Sequence, residues 1–125
     1  GPGGMAYRAT HRYARITARK ARYVVDQVRS MPVESALDML KFSNRRAAPM
    51  IAKVIKSALA NAVQEGGADP EKLVVLNATV NEGPTMKRWR PRARGMAYPI
   101  LKRTSHINIS LADRAAVGSA VKKGK

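Results

Sequence analysis

LVVLNATVNEGPTMKRWRPRARGMAYPILKRTSHINISL, residues 73–111, holds two alternating stretches separated by a long basic one. In the first, Val74, Leu76, Ala78 and Val80 share one parity. In the second, Ile107, Ile109 and Leu111 alternate with His106, Asn108 and Ser110. A period of two is the pattern of a half-buried strand with one apolar face. The two strands are expected to pair antiparallel. Their connection, from Gly83 to about Leu101, is far longer than an ordinary hairpin loop. Either it is an unstructured loop, or the hairpin continues outward as a ribbon with its turn near Pro91–Gly95. At about 3.3 Å per residue, an arm of about ten residues would reach on the order of 30 Å.

The composition of that connection points outside the chain. A lone two-stranded ribbon is marginal in water, and this one has no apolar alternation with which to pack. It carries Lys87, Arg88, Arg90, Arg92, Arg94, Lys102 and Arg103 without an acid, interleaved with Trp89 and Tyr98. Arginine neutralises phosphates, and aromatic rings among arginines stack on bases or riboses. A polyanion is the expected partner.

Upstream the period changes from two to that of a helix. In ITARKARYVVDQVRSM, Ala21, Val24, Val25 and Val28 recur at helical spacing, with Thr17 placed to cap. In MPVESALDMLKFS, Val33, Ala36, Leu37 and Leu40 do the same, Pro32 suits a helix start and Glu34 complements the dipole. The strongest stripe is Met50, Ile51, Val54, Ile55, Ala58, Leu59, Ala62 and Val63, opened near Pro49 and closed by Gly66–Gly67. It reads as a core helix. The basic segment AYRATHRYARI alternates loosely and could add a third strand. The periods thus point to three helices and two strands in one chain, with a third strand possible.

Charge follows the same division. The chain of 125 residues carries a net charge of +16. Residues 1–25 hold six bases (Arg8, Arg12, Arg15, Arg19, Lys20 and Arg22) and no acid. Residues 26–82 hold seven bases and seven acids, and residues 83–125 hold eleven bases against Asp113 alone. A neutral middle between two cationic flanks again predicts attraction to a polyanion. Arg12, Arg15, Arg19 and Arg22 recur at three and four, which on a helix would crowd like charges.

Several classes are set aside. The chain has no cysteine, so disulfides and thiolate metal sites are out. No apolar run approaches a membrane span, and no HExxH, P-loop or GxSxG motif occurs. His11 and His106 stand far apart, and the carboxylates show no paired spacing. No enzyme, cofactor or metal site is expected. A double-stranded-DNA reader would show a recognition helix with an exposed basic and amide face, whereas the strongest helix here is apolar. A free-standing basic nucleic-acid-binding protein remains the alternative reading.

Four segments taken together carry a specific resemblance. ARKAR at 18–22, AAPMIAKVIKSALANA at 47–62, NEGPTMKRWRPRARG at 81–95 and ILKRTSHI at 100–107 closely resemble the bacterial type of the large-subunit ribosomal protein 22 family, in order and in spacing. The resemblance runs from about Ala9 to Leu111. It implies an α+β fold, three helices packed on a small antiparallel three-stranded sheet, with a long protruding β-hairpin at about residues 82–103. It implies a structural constituent of the large ribosomal subunit that binds its ribosomal RNA and supports subunit assembly, in the cytoplasm or an organelle. It also implies a body near the mouth of the polypeptide exit tunnel and a hairpin whose tip helps line the tunnel wall, near where macrolide antibiotics bind. The implied partners are large-subunit ribosomal RNA, neighbouring large-subunit ribosomal proteins and, near the tip, the nascent polypeptide. Neither a membrane nor a homo-oligomer is expected.

By position, the resemblance makes Arg15, Arg19, Lys20 and Arg22 RNA contacts of the body, with Arg8 and Arg12 beside them on charge. Lys87, Arg88, Trp89, Arg90, Arg92 and Arg94 belong to the hairpin, and Lys102, Arg103, Thr104, Ser105 and His106 to its returning arm. Thr17-Ala18 stands where the family often has Ser-Pro, and Met96, Tyr98 and Pro99 also depart from its usual pattern. The expected organisation is a leader at 1–8 (GPGG reading as an expression scar or flexible extension), one RNA-binding domain at 9–112 and a basic tail at 113–125.

Overall fold

The computed structural model describes residues 6–91 and 97–114. The elements run β1 (Tyr7–Ala14), α1 (Ala18–Val28), α2 (Val33–Lys41), α3 (Ala48–Gly66), a 3-10 turn (Pro70–Lys72), β2 (Leu73–Glu82), β3 (Met86–Pro91), β4 (Ala97–Lys102) and β5 (Ser105–Asp113). The fold is α+β, with three helices and a three-stranded antiparallel sheet in the order β1-β5-β2. The basic first segment does supply a strand.

β5 is central, and its residues Ile107, Ile109 and Leu111 are fully buried. Ala78 and Val80 of β2 pair with Ile109 and Ile107, and Ala9 and Tyr7 of β1 pair with Ile109 and Leu111. One sheet face is thus apolar across all three strands. α3 covers it with Ile51, Val54, Ile55, Ala58 and Ala62, all buried. α1 lies against β2 through Ala21, Val24, Val25 and Val28, and α2 packs on α3 through Val33, Ala36 and Leu40. Each helix shows its sequence stripe, except that Val63 at the end of the α3 stripe is exposed. Gly67 closes α3 in the left-handed region at φ 59°, its N–H donating to Val63 O.

The expected apolar face of β2 needs correction. A β-bulge between Val75 and Asn77 inserts one extra residue opposite Leu111 and Ser110. The bulge reverses the parity of the strand. Leu73 and Val75 enter the core before it, Ala78 and Val80 after it, and Leu76 is left exposed. Val74 turns to the other face and meets Ala112. Asn77 supports the kink, its side-chain oxygen accepting from Ala78 N at 2.9 Å.

The free edge of β2 is covered. Ser30 N–H donates to Val75 O and Val75 N–H donates to Met31 O, both at 2.8 Å, and Pro32 bridges to Val74. This α1–α2 connection blunts an edge that would otherwise invite further pairing.

The long connection is a ribbon rather than an unstructured loop. β3 and β4 form a separate antiparallel pair in register from Met86↔Lys102 to Pro91↔Ala97. It continues the β2–β5 ladder, whose last pair is Glu82↔Ser105, and Gly83 N–H donates to Thr104 O at 2.9 Å at the junction. The expected turn, with Arg92, Arg94 and Met96, lies outside the described residues.

Candidate nucleic-acid interface

α1 begins against its own electrostatics. Thr17 caps it by accepting from Lys20 N at 3.3 Å, yet its first turn holds Arg19 and Lys20 and no acid. Bases at the positive end of a helix dipole are unfavourable, and an anion placed there relieves the conflict. Both side chains are exposed.

The connection between α2 and α3 faces this turn. Ser43 Oγ accepts from Arg45 N at 3.2 Å, shaping the loop before Pro49 starts α3. From this loop Arg45 lays its guanidinium over the Tyr23 ring of α1, 4.2 Å from the ring centroid. Arg46 follows it, and Arg103, just past β4, approaches from the hairpin side. Between them is an open cleft of about 1200 Å³ lined by Arg19, Lys20, Arg22, Arg45, Arg46 and Arg103 around Ile16, Thr17 and Tyr23. Asp26 is its lining acid, and that carboxylate is held by Arg29 at 2.8 Å.

Arg22 has a second task. Its Nε and Nη2 donate to Val80 O at 3.2 and 2.9 Å, fastening α1 to β2. Nε and Nη2 are thus committed to the fold, while the residue also lines the cleft.

The sequence-derived candidates divide accordingly. Arg19, Lys20, Arg22 and Arg103 converge on the cleft. Arg15 is exposed in the bend before α1, outside the cleft lining. Arg8 and Arg12 are exposed on β1, alternating with Tyr7 and Ala9, which pack on the core. The helical spacing of Arg12, Arg15, Arg19 and Arg22 is therefore broken: β1 carries the first, a bend the second, and only the last two lie on α1. Arg12 sits over the Tyr13 ring at 5.5 Å, and His106 meets that ring edge-on at 4.8 Å while its Nδ1 accepts from Tyr13 N. This contact secures Tyr13 in a left-handed conformation at φ 58°.

Thr104 and Ser105 do not lie on the surface. Thr104 Oγ1 donates to Pro84 O and Ser105 Oγ donates to Ile16 O, each at 2.7 Å, and both residues are buried. Their hydroxyls are spent anchoring the hairpin root, and beside them Arg103 is exposed and Lys102 half-buried. Lys87, Arg88, Trp89 and Arg90 lie on β3, and Arg92 and Arg94 lie outside the described residues.

Arg45 and Arg46 are the residues that sequence reasoning missed. They belong to the charge-neutral middle, where averaging over 57 positions conceals a local pair. The usable signal was SNRRAAP, residues 43–49: turn-forming residues, two adjacent arginines and a helix-starting proline.

Comparison with known families now bears on this basic cleft and its ribbon. The family model described as ribosomal protein L22p/L17e matches residues 9–112. The chain belongs to that family. It is accordingly a structural constituent of the large ribosomal subunit, a non-enzymatic kind of protein that works in translation, and membership implies association with ribosomal RNA and ribosomal proteins. Among the described residues no group of His, Cys, Asp and Glu is arranged to hold a metal ion, and no described helix is long and apolar enough to cross a membrane.

Proposed function

We propose that the protein docks on large-subunit ribosomal RNA through the cleft between α1 and the α2–α3 loop, and that its β3–β4 ribbon extends from that anchor to line the polypeptide exit tunnel. The observation that carries the first part is convergence. Bases from the first turn of α1, from an interhelical loop and from the hairpin root meet in one cleft whose acid is already paired. Three segments distant in sequence supply one electropositive surface, as a folded polyanion requires.

The ribbon is the extension. Lys87, Arg88 and Arg90 lie on β3, and Arg92 and Arg94 follow in the sequence with no acid among them. RNA on both sides supplies the packing that a two-stranded ribbon lacks by itself. The tip, around residues 90–95, is then the part next to the nascent polypeptide, and the body is the part that supports subunit assembly. The family resemblance motivates the tunnel assignment and the bacterial-type, cytoplasmic ribosome as its setting.

A salt titration tests RNA docking. If Arg19, Lys20, Arg45, Arg46 and Arg103 each neutralise one phosphate, log affinity against log salt should slope at about −3.5 to −4.5, and more steeply if the ribbon is engaged. The titration compares large-subunit ribosomal RNA with duplex DNA and anionic vesicles. Preference for the folded ribosomal RNA with such a slope supports the reading. Equal binding to duplex DNA would favour a free-standing basic nucleic-acid-binding protein, and a slope near zero would remove the cleft as an RNA surface.

A further inference from the structure

The Arg45–Tyr23 pair does more than add a charge to the cleft. Tyr23 is half-exposed on α1, and its ring supports the Arg45 guanidinium from below at 4.2 Å. Arginine is flat on both faces. Arg45 is exposed and lines the cleft, so a guanidinium stacked on the ring at that distance leaves its second face to the cleft. A free arginine on a loop must give up rotamer freedom to present that plane, whereas a stacked one already presents it. Lysine in the same position would supply the charge without the plane.

We propose that Arg45, held by Tyr23, is a stacking shelf for one unpaired nucleobase of the bound RNA. The base lies on the outer face of the guanidinium, giving the order tyrosine, guanidinium, base. Arg46 and the first-turn pair Arg19 and Lys20 then take the phosphates on either side. Unpaired bases stack on guanidinium planes and aromatic rings, and paired bases inside a duplex do not offer a free face. The shelf therefore selects a loop, bulge or strand end over a continuous helix. This inference rests on the cleft being the RNA-docking surface and adds to it which RNA element the cleft reads.

The test uses the full chain and a transcript of large-subunit ribosomal RNA, with the same transcript titrated over several salt concentrations. Arg45→Lys keeps the charge and removes the plane. Tyr23→Leu keeps an apolar side chain and removes the ring, and Tyr23→Phe keeps the ring. Arg45→Lys and Tyr23→Leu should each weaken binding roughly tenfold, as the loss of one stacked base does, with the salt slope unchanged. Tyr23→Phe should bind as the parent does. The double variant Tyr23→Leu/Arg45→Lys should lose no more than the larger single loss, because both changes remove one stack. Arg45→Lys binding as tightly as the parent, or two losses that simply add, would overturn the shelf. That failure is distinct from failure of the docking surface, which would show as a parent protein without salt-dependent affinity for the transcript.

Discussion

The Ser105 hydroxyl donates to the Ile16 carbonyl across 2.7 Å at a fully buried position, tying the hairpin's returning arm to the entry of α1. This bond couples the two parts of the proposed function, because Ile16 and Thr17 floor the cleft and Ser105 begins the strand leading out of the ribbon. Ser105→Ala leaves a buried carbonyl without its donor, which costs about 1–3 kcal/mol. Urea unfolding should show the midpoint falling with the slope unchanged. An unaltered midpoint would mean that the arm is held at its root by packing alone.

Gly83 makes a second test of the root. A Cβ added there would stand 2.5 Å from Thr104 Oγ1 and 3.2 Å from His106 Cε1. The threonine hydroxyl cannot retreat cheaply, since it is buried and donates to Pro84 O. Gly83→Ala should destabilise the protein by about 1–3 kcal/mol through overpacking. Amide exchange should locate the loss at Glu82–Ser105 rather than in α3. Uniform loss across the protein would contradict a local clash.

Arg22 and Arg19 share α1 but should fail differently. Arg22→Met removes two donors to Val80 O and should lower stability by about 1.5–3 kcal/mol. Arg19→Met touches an exposed side chain and should leave stability within about 0.5 kcal/mol, while reducing the RNA salt slope by about one phosphate. Thermal unfolding and the salt titration, run on both variants, separate the roles. Equal stability losses would mean that Arg19 also fastens the fold.

The sequence carried the helices most clearly, because each apolar stripe had a period that only a helix satisfies. It carried the strand pair through alternation, while the long connection between them was open to either an unstructured loop or a ribbon. The phase of β2 was hidden, since a bulge at Leu76 leaves no mark in a run of Leu and Val and shifts every side chain by one position. At the site, Arg19, Lys20, Arg22 and Arg103 were visible as uncompensated charge. Arg45 and Arg46 were masked because charge was summed over the whole middle of the chain, whose acids apart from Asp26 lie outside the cleft lining. Thr104 and Ser105 were placed on the hairpin's returning arm by the resemblance of their motif. Only the tertiary acceptors, Pro84 O and Ile16 O, reveal why polar groups belong there.

The most direct test of the central claim compares two variants of equal charge. One replaces Arg19, Lys20, Arg45 and Arg46 by Gln, removing four of the six cations that line the cleft and keeping Arg22, which fastens the fold, and Arg103. The other replaces Lys41, Lys53, Lys56 and Lys72 by Gln, removing the same charge outside the cleft lining. The measurement is occupancy of each variant in purified large ribosomal subunits when expressed beside the parent protein. The cleft variant should be largely excluded and the control should incorporate close to the parent level. Equal occupancy of the two variants would contradict docking through the cleft and leave only net charge as the attraction.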